Sequence, residues 1–298
     1  MAEIIQKDGT WAFDGDALRL TPGRDRNTGP LRAELGELVV PLGALAGVSF
    51  EQGRRAGRLR LRLRAGADPL LQATAGRLTD SQDPYQLAVE SDRYGVAEYL
   101  AEEVRAALLL DSVSPAPVTE YLLPGPPVPL SASAGDGTAS FDGERVLLEW
   151  NWKTEDAKAA AGPRTVPLTE ITGVQWQPAV GLENGHLRFT VRGATVTAPP
   201  KFDPHAVELW GFKKDPLMAL VAAAVQARLP HPSAPAGGTD LEPERVPLAK
   251  AAPVEGPAAE DTHDALLRRL RELGELRRDG VLTEDEFAMA KQAVLKRM

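Results

Sequence analysis

The chain of 298 residues contains no cysteine. That absence excludes disulfides, thiolate metal sites and cysteine nucleophiles, and it fits a reducing cytoplasm. Aromatic residues are scarce, at 5%. The four histidines, His186, His205, His231 and His263, are scattered without metal-ligand spacing. Basic residues are outnumbered, 34 against 42 acidic ones, for a net charge of −8. That balance argues against general nucleic-acid binding, which needs a basic face to displace phosphate counterions. The longest apolar stretch, Leu217 to Val225, is far short of the roughly 20 residues that span a bilayer. The segment Met1–Lys7 has neither the basic nor the apolar region of a secretory signal, so a soluble cytoplasmic protein is expected. No His-Glu-x-x-His, Gly-x-Ser-x-Gly, phosphate-binding loop or Gly-x-Gly-x-x-Gly occurs. The chain reads as a non-enzyme, with no cofactor and no metal expected.

What is present is a repeat. Asp8-Gly9-Thr10, with Phe13-Asp14-Gly15, returns as Asp136-Gly137-Thr138, with Phe141-Asp142-Gly143. Val40-Pro41-Leu42 with Gly47-Val48 returns as Val166-Pro167-Leu168 with Gly173-Val174. The period is far longer than the roughly 20–50 residues of a solenoid repeat, so it marks two copies of one domain. Each copy opens on a hairpin signal, Asp14-Gly15 or Asp142-Gly143, where a tight turn wants positive φ at both central residues. Strand-like runs follow at Glu37–Leu42, Gly47–Phe50, Arg58–Arg64 and Leu70–Ala75. In the second copy they fall near Arg164–Leu168, Gly173–Trp176, His186–Arg192 and Thr195–Ala198. Val96, Leu100, Val104 and Leu108, and again Leu217, Val221, Val225 and Leu229, recur every four residues and predict a closing helix in each copy.

The expected fold is α+β and mainly β: two small barrels of the pleckstrin-homology-like plan, each sealed by a C-terminal helix. The domains run 1–111 and 136–229. The stretch 112–135, rich in Pro, Ser, Ala and Gly, reads as a linker. A second linker, 230–263, carries seven prolines from Pro230 to Pro257, and its composition buries too little apolar area to order it. At 264–298, Leu266, Leu270, Leu273 and Leu276 mark one helix, Gly280 stops it, and Thr283 with Glu286 forms a capping box for a second helix bearing Phe287, Val294 and Leu295. A hairpin this small should bury its stripe against a copy of itself or another protein.

The tail pattern Asp279-Gly280-Val281-Leu282-Thr283, followed by Glu286-Phe287, resembles the short C-terminal domain (SHOCT) found on many bacterial proteins. The doubled Phe-Asp-Gly, Val-Pro-Leu and Gly-Val pattern is similar to an actinobacterial family, domain of unknown function 4429. The resemblance implies tandem pleckstrin-homology-like repeats and a tail serving oligomerisation or interaction. It supplies no catalytic residue.

Two sets of residues stand out as candidate sites. Arg58, Arg60, Arg62 and Arg64 alternate with leucines, with Arg54 and Arg55 just before them. On a strand this places the arginines on one face. There they are either an anion site for phospholipid head groups, phosphorylated ligands or an acidic partner, or a solvated face paired with acidic neighbours. The second copy keeps only His186, Arg188 and Arg192. Trp150, Trp152, Trp176 and Trp210 all lie in the second copy, either as core or as an aromatic docking face. The Asp279 loop lacks the oxygen donors of a calcium site. The functional expectation is a cytoplasmic scaffold that self-associates or docks a protein through its C-terminal hairpin. The alternative is a peripheral protein at the inner membrane face, binding anionic lipid or a phosphorylated ligand through Arg58–Arg64.

Overall fold

The computed structural model describes residues 1–24, 28–194 and 198–234. The proline-rich segment from 235 onward and the whole C-terminal hairpin, with Leu266, Leu270, Leu273, Leu276, Phe287, Val294 and Leu295, lie outside the described residues, as does most of the strand expected at Thr195–Ala198.

In the first repeat, β1 (Ala2–Gln6), β2 (Gly9–Phe13), β3 (Ala17–Pro22) and β4 (Leu38–Pro41) form one antiparallel sheet in chain order. β5 (Leu45–Glu51), β6 (Ala56–Leu63) and β7 (Gln86–Glu90) form a second sheet, and α3 (Tyr94–Leu110) closes the repeat. The second repeat follows the same order. β8 (Leu130–Ala134), β9 (Gly137–Phe141), β10 (Arg145–Trp150) and β11 (Arg164–Pro167) are succeeded by β12 (Ile171–Gln177), β13 (Gly185–Val191) and β14 (Ala206–Leu209), then by α5 (Met218–Gln226). Short helices α1 (Pro30–Leu35) and α4 (Asp156–Ala160) bridge the third and fourth strands of each repeat.

Neither repeat is a closed barrel; each has open sheets of four and three strands. The physical reason is visible at β1 and β7. Side chains rather than a backbone ladder join them: Asp8 Oδ2 accepts from Ala88 N (3.1 Å) and Gln6 Oε1 from Glu90 N (3.0 Å).

The Asp-Gly turns form as expected, but by a different route. Only the glycines take positive φ, Gly15 at 115° and Gly143 at 108°. The aspartates act through their side chains. Asp14 Oδ1 accepts from Asp16 N and Ala17 N, and Asp142 Oδ1 from Glu144 N and Arg145 N. These hydrogen bonds hold both carboxyls below the usual carboxylate range.

Leu70–Ala75, read above as a strand, is a helix: α2 (Pro69–Thr74). Asp68 caps it by accepting from Leu70 N (3.0 Å) and Leu71 N (3.1 Å), Pro69 occupies the first helical turn, and Ala75 ends it in the left-handed region. The stretch 112–135 is no free linker. Val118 and Leu123 are buried in the core of the first repeat, Val118 N donates to Ala65 O (2.9 Å), and β8 begins at Leu130. The second linker also starts later than expected, because His231 packs edge-on against Tyr121 at 4.7 Å and its Nε2 lies 3.0 Å from Gly66 O.

The two repeats therefore make one compact unit. One core cluster holds β1–β7 and α3. The other holds the second repeat together with Leu31 of α1 and Leu70 and Ala73 of α2. Helix α2 belongs to the longer β6–β7 connection, residues 64–85, against 192–205 for β13–β14. Those eight additional residues carry the helix that joins the repeats. Gly125 lies so close to α5 that a Cβ there would come within 2.4 Å of Ala227 Cβ.

Candidate functional site

Each repeat contains a clamp centred on the aspartate of its first hairpin. In the second repeat Asp136 Oδ2 accepts from Lys158 Nζ of α4 (2.6 Å), and Oδ1 from Glu208 N of β14 (2.8 Å). Lys158 also donates to Pro200 O (3.2 Å) and lies 4.3 Å from the Trp150 ring centre. In the first repeat Asp8 takes Arg32 Nη1 of α1 (2.8 Å) and Ala88 N of β7. The pairs differ in exposure: Lys158 and Asp136 are both buried, whereas Asp8 is partly open to solvent. Burial pushes the Asp136 carboxyl up and the Lys158 ammonium down, against the hydrogen bond between them. These groups tie the two sheets of a repeat together. Among the described residues, Lys158 and Asp136 are the most buried charged side chains.

A second shared element is Asp83-Pro84 and Asp203-Pro204. Asp83 Oδ1 accepts from Tyr85 N (2.9 Å) and Asp203 Oδ1 from His205 N (2.8 Å), which starts β7 and β14. Arg60 lies 3.9 Å from Asp83, and Arg188 lies 3.0 Å from Asp203. Both aspartate elements repeat in the sequence. Their Asp-Gly and Asp-Pro pairs are the signal by which they can be found.

The six arginines separate into four environments. The alternation expected for β6 is present: Leu59, Leu61 and Leu63 point into the core, and Arg58, Arg60 and Arg62 point out. Arg58 is ion-paired with Asp80. Arg64 lies beyond the strand and turns to backbone, donating to Ala116 O (2.8 Å) and Gly43 O (2.9 Å). Arg54 and Arg55 are exposed in the β5–β6 turn. Arg60 and Arg62 line a groove of about 560 Å³ with Gly47, Ser49, Leu71 and Leu78. Among the described residues Arg62 has no acidic partner. In the second repeat the corresponding face is only partly covered: His186 is buried and Arg188 half-buried, while Thr190 is exposed. His186, opposite Glu208 in the ladder, is pushed down to about 4 by burial, with Arg188 adding repulsion.

The four tryptophans also separate. Trp176 is buried and donates to Asp215 O (3.3 Å). Trp150 is half-buried and donates to Gly162 O (2.8 Å). Trp152, in contrast, is 88% exposed. It belongs to a cluster in which Lys153 Nζ lies 5.3 Å from its ring centre, 5.2 Å from that of Trp210 and 5.8 Å from that of Phe212. The Phe212 loop is shaped by Asp215, whose Oδ2 accepts from Gly211 N (2.7 Å) and Phe212 N (3.1 Å), leaving Phe212 59% exposed. Burial pushes the Asp215 carboxyl up. Counted from the shared Asp-Pro, the first repeat carries Glu90 and Asp92 where the second carries Trp210 and Phe212.

Among the described residues no group of three or more His, Asp or Glu side chains is placed to hold a metal ion, and no helix is long and apolar enough to cross a membrane.

These features define a tandem-repeat, mainly β protein whose two copies share a scaffold and differ in surface chemistry. Domain of unknown function (DUF4429) matches residues 11–105 and 139–226, and Short C-terminal domain (SHOCT) matches 268–295. The chain belongs to the DUF4429 family and carries a SHOCT domain at its C-terminal side. No curated protein matches it.

Proposed function

We propose that this chain is a non-enzymatic interaction protein, in which two pleckstrin-homology-like repeats form one platform and the SHOCT segment adds a second element for self-association or docking. Four strands, three strands and a closing helix, in that order in both repeats, support the pleckstrin-homology-like reading. The observation that carries the interaction reading is the ring cluster of Trp152, Trp210 and Phe212 around Lys153. Large rings left in water gain most by being covered, and tryptophan is among the residues that dominate interface energies. Two modules on one chain add avidity, commonly about 10²–10⁴-fold, without any new contact.

Affinity purification from the native host tests this reading. The Trp152→Ser, Phe212→Ser double variant is expected to lose partners that the unaltered chain retains. Recovery of the same set by both would remove the ring cluster as the docking surface. Anionic vesicles that bind the unaltered chain but not the double variant would assign the same rings to a membrane instead. Removal of residues 264–298 is expected to lower the mass measured by light scattering; an unchanged mass leaves the tail as a docking element for another protein.

A further inference from the structure

The groove on the first repeat has a chemistry of its own, independent of the ring cluster on the second. Its floor is the outer face of the β5–β6 ladder, where Gly47 stands opposite Arg62 and Ser49 opposite Arg60. Small residues facing long ones leave a trough beside the guanidinium groups. Its apolar wall comes from Leu71 of α2 and from Leu78 just beyond that helix. The opposite sides of this wall are anchored: Leu71 packs on the core of the first repeat and Leu78 on that of the second. The trough is thus formed before any ligand arrives, and its volume of about 560 Å³ falls in the usual range of small-molecule sites, roughly 300–1,000 Å³.

The charges in the trough select the ligand. Arg62 has no acidic partner among the described residues, and Arg60 is only loosely paired, 3.9 Å from Asp83. Asp83 is itself engaged by Tyr85 N and Gln86 Nε2, so it cannot turn to meet Arg62 without breaking those bonds. Glu51 and Asp83 line the same groove, so the groove holds two carboxylates beside its two guanidinium groups. A polyanion would meet repulsion at both carboxylates. A single carboxylate fits the fork of Arg62, where a paired N–H···O geometry is available. The second repeat lacks this arrangement: Thr190 stands opposite Gly173, and Arg188 is engaged by Asp203 and Ala198 O.

We infer that the groove between the β5–β6 face and α2 binds an amphipathic monocarboxylate, with its apolar body along Leu71 and Leu78 and its carboxylate on Arg62, assisted by Arg60. The carboxylate's oxygens accept hydrogen bonds from the guanidinium, and no bond is made or broken.

The test is calorimetric titration of the full chain with decanoate, with decanol and inorganic phosphate as comparisons. Decanoate is expected to bind saturably, and decanol and phosphate at least about tenfold more weakly. Arg62→Gln is expected to weaken decanoate by about tenfold or more, and Ser49→Trp, which fills the trough from an exposed position, to abolish binding. Arg192→Gln in the second repeat should leave the affinity unchanged. Equal affinity for decanoate in Arg62→Gln and the unaltered chain, equal affinity for decanol, or no saturable binding would each overturn the assignment. Phosphate binding tighter than decanoate would overturn the ligand class.

Discussion

The helix that closes the first repeat keeps one face in water, whereas its counterpart in the second is buried on every side. In α3, Ala97, Leu100, Ala101 and Val104 are buried, while Leu109 and Leu110 are largely exposed. In α5 all nine residues from Met218 to Gln226 are buried. Both helices derive from the same four-residue apolar recurrence. The difference lies in α2, which is inserted in the first repeat and covers the side of α5 that the β-sheets leave open. A helix apolar all round is stable only when something is packed against each face. Duplication thus did not produce two equal domains side by side. One copy donated a helix to the core of the other.

The same asymmetry governs the clamps, and there the largest effect is expected. Asp136→Ala leaves Lys158 buried without its counter-charge, which should cost about 3–5 kcal/mol. Asp8→Ala leaves Arg32 beside a more open site and should cost less, about 1–3 kcal/mol. Denaturant midpoints of the two variants measure this directly. Equal losses would mean that the clamps are equivalent despite their different burial.

The helices give the next contrast. Leu220→Ala in α5 removes a fully packed side chain and should cost about 2–5 kcal/mol, whereas Leu110→Ala in α3 should stay within about 0.5 kcal/mol. Comparable unfolding midpoints for these two variants would contradict the claim that α2 encloses α5.

The smallest effect separates the outer faces of the two β-sheets. His186 ordinarily titrates near 6.5 and is pushed down to about 4 by burial, with Arg188 adding repulsion. The unfolded chain therefore takes up a proton that the folded chain refuses. The stability tied to neutral His186 is full above pH about 6.5 and is lost as pH falls toward 4. His186→Gln should flatten stability against pH across that window. A variant with the acid slope of the unaltered chain would show that His186 is more open to water than its position indicates.

Much of the architecture was legible from residue order. The Asp-Gly turns, the alternating Leu and Arg of β6 and the stripe Val96–Leu100–Val104 each encode their element through local geometry, and each formed. Leu70–Ala75 was misread because four apolar residues in a short run suit a buried strand or a buried helix equally. The deciding signals were the Asp68-Pro69 cap and Ala75-Gly76 exit at its ends. The stretch 112–135 looked like a linker because proline and serine dominate it. Its few apolar residues, Val118 and Leu123 among them, are enough to seat it on the core. Of the candidate sites, the pairing of arginines with acidic neighbours was anticipated in kind. Which arginine remained unpaired was not, because Asp80 and Asp83 lie more than 20 residues away in the chain.

Residue order alone was sufficient for the duplication and the family, and for most strand and helix periods, which depend on neighbours within a turn or a pleat. Three-dimensional packing chose the rest: that α2 serves the core of the other repeat, that among the described residues Arg58 has an acidic partner while Arg62 does not, and that Trp176 is buried while Trp152 stands in water. A side chain's charge balance and exposure depend on atoms brought near by distant parts of the chain. Local patterns of polarity contain no record of which distant residues those will be.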